Sequence, residues 1–151
     1  MTCEKSGECL LEKYAYEYGI KKVKYEGERS KKIQKDGSPF IVRDYEKCIL
    51  CGRCVKICEE IVGANAIEFA YRGFKTEIVS GFDQPLKESG FVFCGCCVDV
   101  CPVGALREVS GEAKGRSWEY KKVKTVCPYC GVGCGIVVYV KNDKIIKIKG
   151  D

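Results

Sequence analysis

Cysteine carries whatever chemistry this 151-residue chain performs, for there are 13 of them and no histidine. One run reads Cys48-Ile-Leu-Cys51-Gly-Arg-Cys54-Val-Lys-Ile-Cys58, spaced C-x2-C-x2-C-x3-C. The other reads Phe91-Val-Phe-Cys94-Gly-Cys96-Cys97-Val-Asp-Val-Cys101-Pro102. A shift of 43 residues lays the first on the second, 51 on 94, 54 on 97 and 58 on 101. The match breaks only at its first position, where Phe91 falls on Cys48. Three closely spaced thiolates wrap the near side of a cubane iron–sulfur cluster, while the fourth, on a short helix pointing away, ligates the cluster of the other run. This spacing predicts one site from Cys48, Cys51, Cys54 and Cys101. It predicts a second from Cys58, Cys94 and Cys97, with one ligand in question. Cys96 is either the replacement ligand there or a spectator thiol.

Two competing readings of the cysteines fit less well. A disulfide lattice does not require this spacing, and zinc sites come as two C-x2-C pairs, without a fourth cysteine three residues after a triple. The absence of histidine removes the commonest general base and a usual zinc ligand, and no acid–base constellation stands out. The sequence therefore reads as electron wiring with no catalytic residue of its own. Its formal charge of +5 points only weakly to nucleic acid, since no basic stripe interleaved with aromatics appears. An oxidised cubane with four thiolates carries about −2, so three of them would bring the total to about −1. The lysines then balance buried metal centres or solvate the surface. No signal peptide and no apolar run of membrane-spanning length is seen, and reduced, metal-bound cysteine fits a cytoplasmic setting.

The elements that must position these thiols follow from periodicity and punctuation. Leu10, Tyr14 and Tyr18, with Leu11 and Ala15 beside them, predict an amphipathic helix over 10–18, stopped at Gly19. Residues 20–40 read as a surface connection. A strand is expected over 40–45 and a helix over 53–62, burying Val55, Ile57, Cys58, Ile61 and Val62 and ending at Gly63. Residues 66–71 and 74–79 read as a hairpin about Arg72-Gly73, 81–90 as a loop, 98–101 as a short helix stopped by Pro102, and 105–109 as a strand. Polar residues 110–120 form a linker. A strand over 123–126 leads to a third cluster, Cys127-Pro-Tyr-Cys130-Gly-Val-Gly-Cys134, and a β-hairpin turns at Asn142-Asp143. Cys127, Cys130 and Cys134 offer three thiolates, so a fourth is expected from beyond residue 151 or from a partner.

These motifs resemble the two-cluster module of molybdenum- or tungsten-dependent formate dehydrogenases. The resemblance rests on Cys48 through Gly63, Arg72-Gly73, Gly81-Phe82-Asp83, Phe93-Cys94-Gly95 and Val100-Cys101-Pro102-Val-Gly-Ala-Leu106. Iron-only hydrogenases and the large iron–sulfur subunit of NADH–quinone oxidoreductase are similar. The stretch Cys127 to Cys134 resembles the opening of the catalytic domain in the formate dehydrogenase and nitrate reductase group. The resemblance implies an α+β fold: a ferredoxin-like two-4Fe–4S module over 20–109, a linker over 110–120, and over 121–151 the start of a molybdopterin oxidoreductase 4Fe–4S domain. Residues 1–19 would be the remnant of an N-terminal iron–sulfur motif, with Cys3 and Cys9 matching the last two positions of H-x3-C-x2-C-x5-C.

It further implies an electron-transfer region of a larger catalytic subunit. Two central 4Fe–4S clusters, and up to four with completed termini, would connect a bis-pterin guanine dinucleotide Mo or W centre with partner iron–sulfur or flavin subunits. Those partners would be ferredoxin-like, hydrogenase or NAD-linked. The pterin centre and the catalytic residues would lie outside these 151 residues. The alternative functions are an arm of an NADH–quinone oxidoreductase or iron-only hydrogenase and, from another class, a zinc-binding interaction module.

Overall fold

A computed structural model describes residues 5–6, 9–27, 33–34, 38–109 and 117–151. Helix α1 spans Leu10–Glu17. Strands β1 (Ile33–Gln34) and β2 (Ile41–Asp44) are followed by helix α2 (Arg53–Lys56), which widens into a π-helical stretch over Ile57–Val62. Then come β3 (Ile67–Ala70), β4 (Glu77–Ser80), helix α3 (Cys96–Val100) and β5 (Leu106–Glu108). The chain closes with β6 (Lys121–Val126), β7 (Gly135–Lys141) and β8 (Lys144–Gly150). Among the described residues all pairings are antiparallel and form three small sheets, β1-β2-β5, β3-β4 and β6-β7-β8. This is the expected α+β class.

The core is built around thiols. Ile41, Tyr45, Ile67, Ile78, Leu86 and Val98 pack with the buried Cys58 and Cys97, and a smaller group joins Cys101, Val103 and Ala105. Strand β2 sends Ile41 and Arg43 inward, two apart as the pleat requires, and Asp44 at its end is buried as well. Ile41, Arg43 and Tyr45 share that face and are nearly inaccessible. A guanidinium so buried requires partners, and Arg43 Nη1 donates to Tyr45 Oη at 2.8 Å, with the guanidinium over the ring at 5.5 Å. Tyr45 Oη in turn donates to the Ile78 carbonyl, tying β2 to the β3-β4 hairpin.

Several expectations need correction. Within the supposed surface connection, Ile33–Gln34 pairs with Arg43 and Asp44 as an edge strand. The 66–79 hairpin forms, but a 3-10 turn over Gly73–Lys75 widens its bend and β4 starts at Glu77. Helix α3 opens at Cys96 rather than 98, because Gly95 takes the left-handed conformation (φ 80°) that starts it. Ile61 is 77% exposed rather than buried. The π-helical stretch explains this, since added residues per turn rotate later side chains off the apolar face. In α1 only Ala15 is buried; Leu10, Tyr14 and Tyr18 of the apolar stripe face outward. Among the described residues no helix is long and apolar enough to cross a membrane.

Candidate metal centres

The repeat seen in the sequence is also a repeat of backbone shape. Leu50 (φ 54°) and Gly52 (φ 71°) adopt left-handed conformations between the ligand-spaced cysteines, and so do Phe93 (φ 51°) and Gly95 (φ 80°), 43 residues on. Gly52 and Gly95 each precede the first residue of a helix. The chain therefore bends back twice within five residues, which aims closely spaced cysteines at one place. Left-handed backbone is cheap for glycine and costly for Leu50 and Phe93, so the loop shape is bound to its cysteines rather than to intrinsic preference.

Two cavities open on these loops. The first is walled by Cys48, Cys51, Cys54, Cys97 and Cys101, with Arg43 of β2 and Tyr45 of the turn after it behind them. The second is walled by Cys58, Cys94, Cys96 and Cys97, with Phe91 and Ala66 among the apolar residues around it. Cys97 and Phe91 border both. The thiols stand around spaces rather than around a point. Among the described residues, no three Cys, Asp or Glu side chains converge closely enough to share a single ion.

The electrostatics sort the thiols in the same crossed manner. Burial raises the Cys48 thiol, and Cys101 and Cys51 add to the rise. Burial likewise pushes Cys54 up to about 11, with Cys48, Cys101 and Cys51 contributing. Cys101 thus stands among the residues of the first run. Cys97 is pushed up to about 12 by burial, with Cys54, Cys94 and Cys58 contributing, so Cys58 stands among the residues of the second. Burial opposes the thiolate form that metal binding requires; backbone N–H groups offset part of that. Leu50 N–H donates to Cys48 Sγ at 3.4 Å, and Ala66 N–H donates to Cys58 Sγ at 3.4 Å. The N–H groups of Val55 and Val98, again one repeat apart, favour the thiolates of Cys54 and Cys97.

The other cysteines lie to either side. Cys9, which precedes α1, packs against the group of Cys101, Val103 and Ala105, which places Cys9 beside the first cavity. Cys3 lies outside the described residues. Cys127, Cys130 and Cys134 share the turn from β6 to β7, closed by Cys127 N–H donating to the Cys134 carbonyl at 2.8 Å. The sheet carrying that turn is joined to α3 by Lys149 Nζ and Asp99 Oδ1 at 3.0 Å.

Sequence reasoning missed Arg43 and Tyr45. Their signal was available, because both fall in phase with Ile41 on a strand that leads into the first cysteine loop.

Comparison with known proteins gives three matches in succession. Residues 1–24 match the NADH-ubiquinone oxidoreductase-G iron-sulfur binding region. Residues 38–107 match the ferredoxin-like domain of NADH-quinone oxidoreductase subunit 3, and residues 120–151 the molybdopterin oxidoreductase Fe4S4 domain. The NADH-quinone oxidoreductase G 2 subunit of Rhizobium meliloti is 36% identical over 151 residues, covering 99% of this chain and 17% of that protein. A Staphylococcus haemolyticus protein provisionally named a formate dehydrogenase is 30% identical over 182 aligned residues, covering 95% of this chain and 18% of that protein. Among solved structures, an NAD+-reducing NiFe hydrogenase in the H2-reduced state superposes with a TM-score of 0.60 at 27% identity. That match covers 76% of this chain and 48% of the hydrogenase chain. The chain thus spans less than a fifth of the length of the Rhizobium and Staphylococcus relatives.

Proposed function

We propose that this chain, which has the iron–sulfur architecture of the NADH-ubiquinone oxidoreductase-G type followed by a molybdopterin oxidoreductase Fe4S4 domain, is the electron-relay arm of a multi-subunit oxidoreductase. The observation that carries this is the crossed grouping of thiols about two adjoining cavities, Cys101 with the first run and Cys58 with the second. The donor set fits a cubane cluster: soft thiolates, backbone N–H groups directed at sulfur, and apolar walls. Clusters bound there would supply one-electron transfer at low potential.

In this reading Cys48, Cys51, Cys54 and Cys101 hold the first centre, and Cys58, Cys94 and Cys97 hold the second. Leu86, Ile67 and Ile78 keep water from the first cavity, and Arg43 places a buried positive charge in its wall. Cys9 beside Cys101, together with Cys3, belongs to a further N-terminal centre. Cys127, Cys130 and Cys134 belong to another at the Fe4S4 domain. Electrons would then pass between partner iron–sulfur or flavin subunits and whatever redox centre the rest of the protein holds.

For the reaction served, the iron–sulfur arm of an NADH–quinone oxidoreductase or hydrogenase-type complex is supported by the matches over 1–24 and 38–107. The formate dehydrogenase reading, with a bis-pterin Mo or W centre beyond residue 151, is supported by the Fe4S4 match and the staphylococcal relative. The decisive experiment uses the full-length protein in its native complex, purified anaerobically. NADH, H2 and formate are offered in turn, and cluster reduction is followed by electron paramagnetic resonance (EPR). Reduction by formate alone selects the formate dehydrogenase reading, and reduction by NADH or H2 alone selects the other. A colourless protein that binds zinc and gives no reducible signal overturns electron relay altogether.

A further inference from the structure

We propose that Cys96 supplies the fourth thiolate of the second centre, replacing the cysteine that the repeat leads one to expect at position 91. This rests on the reading of the second cavity as a cluster site and names the ligand that reading leaves open.

The repeat fails at one place only. Phe93 and Gly95 reproduce the left-handed turns of Leu50 and Gly52, so the loop has kept its shape and Phe91 occupies the place corresponding to Cys48. Its ring packs edge-on against Phe93, with centroids 5.1 Å apart, and borders both cavities. A phenyl ring cannot bind iron, and here it fills the side of the site from which the fourth thiolate would come. The cluster needs a thiolate from another direction.

Cys96 offers it. Its thiol lies near that of Cys94, whose proximity raises it, and it borders the second cavity together with Cys58, Cys94 and Cys97. Adjacent residues in a helical turn diverge by about 100°, so Cys96 and Cys97 approach the cavity from different sides of α3. The residue one repeat earlier, Arg53, is exposed, whereas Cys96 is half-buried beside Cys94. An inert spectator cysteine is ordinarily sealed in an apolar core, and Cys96 is not. Gly95 has open space on its Cβ side, and glycine accepts the backbone change that seating the sulfur requires.

The test uses the full-length protein, purified anaerobically. In the unsubstituted protein the second centre should contain four irons. Cys96→Ala should convert it to a three-iron centre, visible when oxidised as a new EPR signal, with about one iron in eight lost from the two central sites. Adding Phe91→Cys to Cys96→Ala should restore the four-iron signal, which a merely structural defect would not permit. Should Cys96→Ala fail to fold, alkylation with iodoacetamide followed by mass spectrometry of the unsubstituted protein decides the matter. Cys96 should be as protected as Cys97 while iron is bound and labelled once iron is chelated.

A four-iron second centre that survives Cys96→Ala overturns the proposal, as does a three-iron centre in the unsubstituted protein or free labelling of Cys96 in the iron-loaded form. Cys58→Ala serves as the separate control. If it leaves every iron signal unchanged, the second cavity is not a cluster site, and the underlying reading fails instead.

Discussion

Gly52 and Gly95 occupy equivalent places one repeat apart, and their replacement separates two physical effects. Both are left-handed, at φ 71° and 80°, so alanine at either site incurs the same backbone penalty, about 1–2 kcal/mol. Their surroundings differ. A Cβ on Gly52 would stand 3.1 Å from Phe69 Cζ and 3.2 Å from Phe69 Cε2, whereas one on Gly95 meets nothing within 4 Å. Phe69 is 47% exposed and can swing outward, so its displacement should add an off-rotamer cost of only about 0.5–1.5 kcal/mol. For a chain of this size each kcal/mol lowers the melting temperature by about 2–4 °C. Gly95→Ala should therefore lower it by about 2–8 °C and Gly52→Ala by about 1–6 °C more. The assay is thermal unfolding of the anaerobically loaded protein, followed by far-ultraviolet circular dichroism and by loss of the iron–sulfur absorption. In a Phe69→Ala background the extra loss at Gly52 should vanish while the loss at Gly95 persists. If Gly95→Ala proves the more damaging, or if the difference survives removal of the ring, the contact argument is wrong.

Other outcomes follow from the crossed site. Cys101→Ala should harm the centre of Cys48, Cys51 and Cys54 while sparing the other, and Cys58→Ala should do the reverse; paired EPR spectra showing damage confined to each cysteine's own run would refute the exchange. Arg43→Met removes a buried positive charge from the wall of the first cavity, and should lower the potential of the first centre by tens of millivolts, on the order expected for one nearby charge; an unchanged potential in a redox titration would show that the guanidinium is structural only. Burial raises Cys54 to about 11 and Cys97 to about 12, so the metal-free fold favours the protonated thiols. Its stability from these groups is full below the ordinary thiol pKa of about 8.5 and is lost as pH rises through about 11 to 12. Iron loading requires their deprotonation and should therefore release protons and become more complete as pH rises from about 7 to 9; a pH-independent iron uptake curve would contradict this.

Much of the centre was legible because its pattern is local. Ligand spacing in a cysteine loop leaves few backbone paths, and the 43-residue repeat marks the two loops as copies, which the left-handed turns at 50, 52, 93 and 95 bear out. The β7-β8 hairpin was equally plain, since Asn142 and Asp143 supply the two positive-φ residues its turn needs. What escaped was set by tertiary context. Ile33–Gln34 becomes a strand only because the edge of β2 is open beside it. Ile61 turns outward because α2 widens after Lys56. Arg43 gives no hint in its own chemistry that it is buried; only its phase with Ile41 and Tyr45 does. The apolar stripe of α1 promised a buried face, yet eight residues and one buried alanine make too small a contact to cover it.

Cys97 borders both cavities, and its thiol senses Cys54 of the first run as well as Cys94 and Cys58 of the second. The two sites share a wall of Cys97 and Phe91, across which charge at one would be little screened from the other. With clusters held at both sites, a first electron would raise the energy of a second. In the proposed relay the pair would serve less as a reservoir than as a turnstile, favouring the passage of single electrons over the storage of two. A two-electron donor would then deliver its electrons one at a time, and the wall that Cys97 shares would set how strongly the first holds back the second.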